Sequence, residues 1–110
     1  MNFSEIASKV MMTMMIKTKR TVYESSEFKK SLRKARKQGK DLDLLNKLIK
    51  LLANDEVIPI KYKDHALKGK EADFRELHIQ KDWMLVYKKT DKGELILILQ
   101  RLGSHSEFGY

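Results

Sequence analysis

The stretch ELILILQRL, residues 94–102, is the sequence feature that most limits the possible folds. Residues 95–99 are apolar at every position, whereas a strand with one solvated face would alternate apolar and polar side chains. A strand that buries both of its faces belongs in the interior of a sheet. The stretch therefore predicts a central strand near the end of the chain.

Other β-prone runs supply neighbours for this strand. Residues 73–79 (DFRELHI) and 83–89 (WMLVYKK) are linked by short polar joins near 80–82 and 90–93. Joins of this length favour hairpins, so we expect an antiparallel meander. Residues 16–23 (IKTKRTVY) are also β-prone and are predicted to form the first strand, whereas residues 61–71 are predicted to be a polar loop.

Two helices are predicted between the first strand and the meander. Ser25 or Ser26 can cap the first helix, and Gly39 is a natural stop. Asp41 or Asp43 can cap the second, which cannot continue through the single proline of the chain. The apolar stripes are Phe28, Leu32 and Ala35 in the first helix and Leu45, Leu48, Ile49 and Leu52 in the second.

The predicted order is β-α-α-β-β-β, an α+β class in which two N-terminal helices pack on a small, mainly antiparallel four-stranded sheet. A length of 110 residues favours one domain, which we assign to residues 16–110. Residues 1–15 carry five of the six methionines. We interpret them as an N-terminal extension that is either mobile or not native, with Met14 or Met15 as an alternative start.

The net charge of +8 lies in one segment of the chain. Residues 17–40 hold ten Lys or Arg against two Glu, so the remaining 13 basic and 13 acidic residues cancel. Such a segment is either a nucleic-acid contact or a solvated helix face. The chain has no cysteine, no apolar run long enough to span a membrane and no export signal, a combination that favours the cytoplasm.

Several residues suited to acid–base and phosphate chemistry stand at the edges of the predicted elements. The three histidines are His65, His78 and His105, and their spacing matches no zinc motif. The hairpin can bring His78 near Asp82 and Trp83, and the last strand can add Arg101, His105 and Phe108. Imidazoles supply a base and an acid, a guanidinium binds phosphate, and an aromatic ring stacks a base. RNA brings its own 2′-hydroxyl nucleophile, so this set suits RNA cleavage without a metal.

Three motifs make the chain resemble a known family. YKDHALKG (62–69), FRELHIQKDWMLVYK (74–88) and RLGSHSEF (101–108) resemble the YafQ branch of the RelE/ParE toxin superfamily over about residues 16–108. The resemblance implies a RelE-like fold and a type II toxin that enters the ribosomal A site and cleaves mRNA there. It also implies that no metal or other cofactor is needed, and that a cognate antitoxin neutralises the toxin.

The same resemblance implies roles for individual residues. The catalytic set would be His65, His78, Asp82, Arg101, His105 and Phe108. A histidine or Asp82 would deprotonate the 2′-hydroxyl, Arg101 would stabilise the phosphate charge, and Phe108 would stack a nucleotide. Trp83 would be a ring beside the site and would contribute to RNA binding. The basic first helix would grip ribosomal RNA through Lys29, Lys30, Arg33, Lys34, Arg36 and Lys37.

Three alternatives remain open from the sequence alone. The first is a ParE-like protein that binds DNA gyrase on the same fold. The second is a basic RNA-binding module without catalysis, and the third is a degenerate toxin kept for regulation. A protein that only binds its target would not need the cluster of histidines, Asp82 and Arg101, so this cluster favours the nuclease.

Overall fold

A computed structural model describes residues 18–110. The helices and strands, in chain order, are β1 (Thr21–Glu24), α1 (Ser26–Lys37), α2 (Leu42–Ala53), β2 (His65–Ala66), β3 (Arg75–Gln80), β4 (Trp83–Thr90), β5 (Ile96–Gly103) and α3 (His105–Phe108). The predicted extension, residues 1–15, and the start of the predicted first strand lie outside the described residues. Within residues 18–110, no helix is long and apolar enough to cross a membrane.

The five strands form one mixed sheet in the order β1-β5-β4-β3-β2. β1 runs parallel to β5, and the other three pairs are antiparallel. The prediction that residues 94–102 form a central strand is confirmed, because β5 pairs with β1 on one side and β4 on the other. The predicted strand number of four was too low, because two residues of the presumed polar loop pair with β3 as the short edge strand β2.

The two long helices begin and end as their capping residues predict. The Ser25 side chain accepts a hydrogen bond from the N–H of Phe28, and Asp41 accepts from Leu44. Both helices pack on the sheet, α1 against β5 and α2 against β3 and β5. The predicted stripes are all buried, and they join strand residues such as Val22, Leu77, Leu85 and Leu97 in one core.

The segment between α2 and β3 is more ordered than predicted. Ile60–Tyr62 and Gly69–Glu71 form single 3₁₀ turns on either side of β2. Because β2 pairs His65 with Glu76, the segment is fixed at the sheet edge instead of extending into solvent. This pairing brings the His65 side chain beside β3.

A buried arginine ties three distant parts of the chain together. Arg20 is 6% exposed; its Nε lies 2.7 Å from the Asp55 carboxylate after α2, and its guanidinium also lies 2.8 Å from Asp91 in the β4–β5 turn. The same guanidinium donates to the carbonyls of Thr90 and Ile96. Asp55 also pairs with Lys89 at 2.8 Å. These bonds fix the end of the sheet opposite residues 104–110, which we call the tail.

Candidate active site

The chain segment that follows β5 is a short, well-capped helix. The Ser104 hydroxyl accepts from the N–H of Glu107, and the Glu107 carboxylate accepts from the N–H of Ser104, a reciprocal capping box. A Cβ at Gly103 would lie 3.0 Å from Phe108 Cε1 and 3.1 Å from a Glu107 carboxylate oxygen. Because Gly103 has no Cβ, α3 can fold closely back on the sheet. This close packing fixes the position of the tail.

Asp82 orients the imidazole of His105. Asp82 lies in the tight β3–β4 turn with φ of 53°, and its Oδ1 accepts from both the backbone N–H (2.9 Å) and the Nδ1 (2.7 Å) of His105. The backbone hydrogen bond, with help from the imidazole, lowers the pKa of the Asp82 carboxyl. An ionised carboxylate only accepts, so Nδ1 carries the proton and Nε2 remains open for proton transfer.

The three histidines form a row along one edge of the sheet. The ring centroids of His65 and His78 are 5.9 Å apart, and those of His78 and His105 are 6.0 Å apart. Burial lowers the pKa of His78, although the nearby Glu76 carboxylate opposes this effect. A lowered pKa keeps an imidazole neutral near neutral pH, the form that accepts a proton.

Glu76 is a site residue that the sequence reasoning missed. It is 3% exposed, and its Oε1 lies 3.7 Å from His65 Nε2 and 3.8 Å from His78 Nε2. Its other oxygen accepts a hydrogen bond from the Tyr110 hydroxyl. Burial and this bond to a carboxylate together raise the pKa of Tyr110 to about 12. Glu76 and His78 are two residues apart on a strand and so lie on the same face. This spacing could have identified Glu76 from the sequence.

His65, Glu76 and His78 offer three potential metal ligands, which we call the histidine–carboxylate cluster. One ligand atom from each residue lies within 4.8 Å of the other two. Imidazole nitrogens and a carboxylate oxygen suit transition-metal ions such as Zn²⁺ and Cu²⁺. The prediction of no metal site was based on sequence spacing, and the structure shows that strand pairing brings together residues that no linear motif connects.

Arg101 lies beside the row of histidines, held by an aromatic ring and a carboxylate. Its guanidinium carbon is 4.7 Å from the Phe108 ring centroid, and one terminal nitrogen is 2.9 Å from the Glu71 carboxylate. The side chain is 17% exposed. Its buried Nε has no hydrogen-bond partner within residues 18–110. This cation is fixed in position and can exchange its carboxylate partner for another anion.

The structure gathers the predicted catalytic residues at one place. His65 and His78 stand over Glu76, while His105 and Asp82 face them from the tail and the turn. The other two predicted residues, Arg101 and Phe108, lie on β5 and α3.

The position of Trp83 differs from the prediction that its ring lies beside the site and contacts RNA. The ring is 2% exposed within the core, and Lys40 lies 5.9 Å from its centroid. It therefore presents no face on which a base can stack, and the assignment of this residue to RNA binding is corrected. Residues 83–87 (WMLVY) are all buried along β4, so this continuous apolar run pointed to the core.

The basic face of α1 is adjacent to the tail. Its six predicted RNA-binding residues are all exposed: Lys29, Lys30, Arg33, Lys34, Arg36 and Lys37. Lys34 is ion-paired with Glu107 of α3. This contact places the basic helix and the row of histidines on one continuous surface.

This fold is that of small bacterial toxins from type II toxin–antitoxin systems. The chain belongs to the YafQ family: the family model described as "Bacterial toxin of type II toxin-antitoxin system, YafQ" matches residues 20–110. The chain is 38% identical over 88 residues to the mRNA interferase toxin YafQ of Escherichia coli strain K12. That alignment covers 79% of this chain and 92% of the relative.

Two crystal structures extend this similarity. YafQ in the E. coli DinJ–YafQ toxin–antitoxin complex superimposes with a TM-score of 0.75 at 35% identity, covering 84% of this chain and 99% of that one. A metal-bound toxin from Helicobacter pylori superimposes with a TM-score of 0.73 at 48% identity, covering 78% and 94%. At these identities the likeness extends beyond the shared fold to the sequence.

Proposed function

We propose that the protein is an endoribonuclease that cleaves mRNA in the A site of the ribosome. The observation that carries the proposal is the row of three imidazoles beside Arg101, with His105 oriented by Asp82. Two imidazoles at neutral pH provide the base and the acid that metal-free cleavage requires. The name of the E. coli relative, mRNA interferase toxin, agrees with this chemistry.

In the proposed reaction, the 2′-oxygen attacks the adjacent phosphorus while the bond to the 5′-oxygen breaks. A base removes the 2′-hydroxyl proton, and an acid protonates the departing 5′-oxygen. The products are a 2′,3′-cyclic phosphate and a 5′-hydroxyl. His105 is one of the two groups, because Asp82 binds its Nδ1 and thereby orients Nε2 for proton transfer.

Arg101 stabilises the extra negative charge on the phosphate in the transition state. A guanidinium binds two phosphate oxygens in one plane, and a pre-positioned cation loses little energy to reorganisation during the reaction. In the free protein this place is taken by the Glu71 carboxylate, so the substrate phosphate must displace Glu71. The Phe108 ring holds the guanidinium from the other side and supplies a stacking surface for a nucleotide.

The partners follow from the charged surface and from the relatives. The exposed basic face of α1 would bind ribosomal RNA, and it adjoins the site through the Lys34–Glu107 pair. Because the DinJ–YafQ complex contains a toxin of the same family, we propose a cognate antitoxin that covers this surface and the site. A protein that acts on ribosomes works in the cytoplasm.

The H. pylori relative also suggests a metal-binding property. The histidine–carboxylate cluster has the right donors for a transition-metal ion, and that relative is a metal-bound toxin. A bound ion would occupy lone pairs of His65 and His78, which the proposed proton transfers need to be free. We propose that the metal competes with catalysis and that the reaction itself needs none.

The test is cleavage of a defined mRNA on programmed ribosomes, mapped by primer extension. The wild-type protein should cut at discrete codon positions, and His105→Ala should not. Asp73→Asn, which removes an exposed carboxylate outside the row of histidines, is the control and should cut like the wild type. If His105→Ala cuts normally, the catalytic assignment is wrong. If no variant cuts, gyrase inhibition or RNA binding without catalysis becomes the better explanation, and a supercoiling assay separates the two.

A further inference from the structure

A cleft of about 470 Å³ opens beside His78. Its walls come from the 3₁₀ turn before β2, from the end of β3 and from α2. The lining residues are Leu44, Lys61, Tyr62, Lys63, His78, Ile79, Gln80 and Lys81. The cleft shares His78 with the row of histidines, so a bound molecule could contact both.

The charge of this cleft is entirely basic. Lys61, Lys63 and Lys81 are all exposed, and none of the cleft-lining residues in the described range 18–110 is acidic. None of the ion pairs formed within residues 18–110 includes any of these three lysines. Other cations near the site, such as Arg75 and Arg101, are paired with carboxylates. Three unneutralised ammonium groups around one concavity create a field that attracts phosphate.

The floor of the cleft is different in character. Leu44 and the Tyr62 ring are half-buried and offer apolar surface, whereas Ile79 is buried. The Lys61 ammonium lies 5.1 Å from the Tyr62 ring centroid, so one of the cations stands directly beside this floor. Gln80 adds an amide that can both donate and accept a hydrogen bond at a base edge. An apolar floor beneath a ring of cations matches a nucleotide, which has a flat base and an anionic backbone.

We propose that this cleft is a binding subsite for a nucleotide of single-stranded RNA that neighbours the scissile phosphate. Lys63 and Lys81 contact its backbone phosphates, and its base rests on the floor around Tyr62. The inference rests on the proposed nuclease function and names where the strand runs once it leaves the catalytic groups. The residues that line this cleft are not those of α1, so the subsite adds a second RNA contact to the basic face of that helix.

The experiment measures binding of 2′-O-methyl oligoribonucleotides, which cannot be cleaved, by fluorescence anisotropy. A dinucleotide is compared with tetranucleotides extended on the 5′ or the 3′ side, each over a range of salt concentrations. The test variant is Lys63→Gln/Lys81→Gln. The control, Lys50→Gln/Lys92→Gln, removes the same charge from exposed positions outside the cleft. Circular dichroism checks that both variants are folded.

The wild-type protein and the control should bind one of the tetranucleotides more tightly than the dinucleotide. The test variant should lose this advantage, with affinity about tenfold lower, or about 0.7 kcal/mol for each lysine. The slope of log K against log salt concentration should also fall by about 1.4, because each phosphate contact contributes about 0.7 on a single strand.

An equal loss in the two double variants would overturn the subsite, since it would show only the effect of net charge. The absence of any length dependence in the wild type would also overturn it. The cleavage assay with His105→Ala is independent of these results. If the wild type cleaves mRNA and His105→Ala does not, while the lysine substitutions leave oligonucleotide binding unchanged, the subsite is refuted and the proposed nuclease function still holds.

Discussion

Replacing Asp55 with Asn should destabilise the protein by a predictable and pH-dependent amount. Hydrogen bonds from Arg20 and Lys89 lower the pKa of the Asp55 carboxyl from 3.8 to about 2. A difference of about 1.8 in pKa corresponds to about 2.4 kcal/mol of folding free energy. The carboxylate is 34% exposed, so screening by water reduces this value, and we expect a loss of about 1 to 1.5 kcal/mol at pH 7.

The choice of Asn isolates the charge. Asp55 has φ of 56°, a conformation that Asn tolerates nearly as well as Asp, so the backbone should not be strained by the change. Because the folded-state pKa is depressed, the stabilisation is fully present well above pH 3.8 and is lost as the pH falls through 2. The difference between wild type and variant should therefore shrink by about half between pH 7 and pH 3.

Urea denaturation at both pH values measures this effect, and thermal unfolding at pH 7 should show a midpoint lower by roughly 5 °C. Asp91→Asn is the matched control, because that carboxylate binds the same arginine but is 68% exposed and should matter less. A variant as stable as the wild type at pH 7 would refute the reasoning. So would a difference that stays the same at pH 3.

Three further predictions concern the site. Gly103→Ala should push the Phe108 ring from its place and reduce kcat/KM for RNA cleavage by roughly tenfold to a hundredfold, with the fold retained by circular dichroism. Unchanged activity would mean that the tail is not held by this close approach. Glu71→Gln should free Arg101 and lower KM by roughly threefold in the same assay, and a higher KM would contradict displacement by substrate. Zn²⁺ should inhibit cleavage reversibly through the histidine–carboxylate cluster, so EDTA should restore the rate; stimulation by Zn²⁺ would contradict the proposed competition.

The sequence predicted the features that depend on nearby residues. Caps at Ser25 and Asp41 lie next to the helices that they start, and the apolar run of β5 shows its burial directly. The histidines and Arg101 were found because their residue types suit the chemistry and because the motifs resemble a known family.

Features that depend on distant partners were not predicted. Nothing local to Thr21–Glu24 indicates that this strand pairs with β5 in parallel, some 75 residues later. β2 has only two residues and exists because β3 offers an edge for pairing. Glu71 looks like an ordinary loop carboxylate until the fold brings Arg101 within 2.9 Å of it. The sequence pattern therefore located the candidate site but did not show that Glu71 pairs with Arg101 in the free protein.

The position of β5 in the sheet also has a consequence for how the protein is made. β5 follows the other four strands of this sheet along the chain, yet it joins β1 to the meander and carries Arg101. A growing chain that has released β1, both long helices and β4 still lacks the strand that unites them. Pairing over such long sequence separations is slow, because loop closure precedes the stabilising contacts. The site therefore assembles at the end of folding, and a nascent chain should stay inactive until β5 has left the ribosome that is making it.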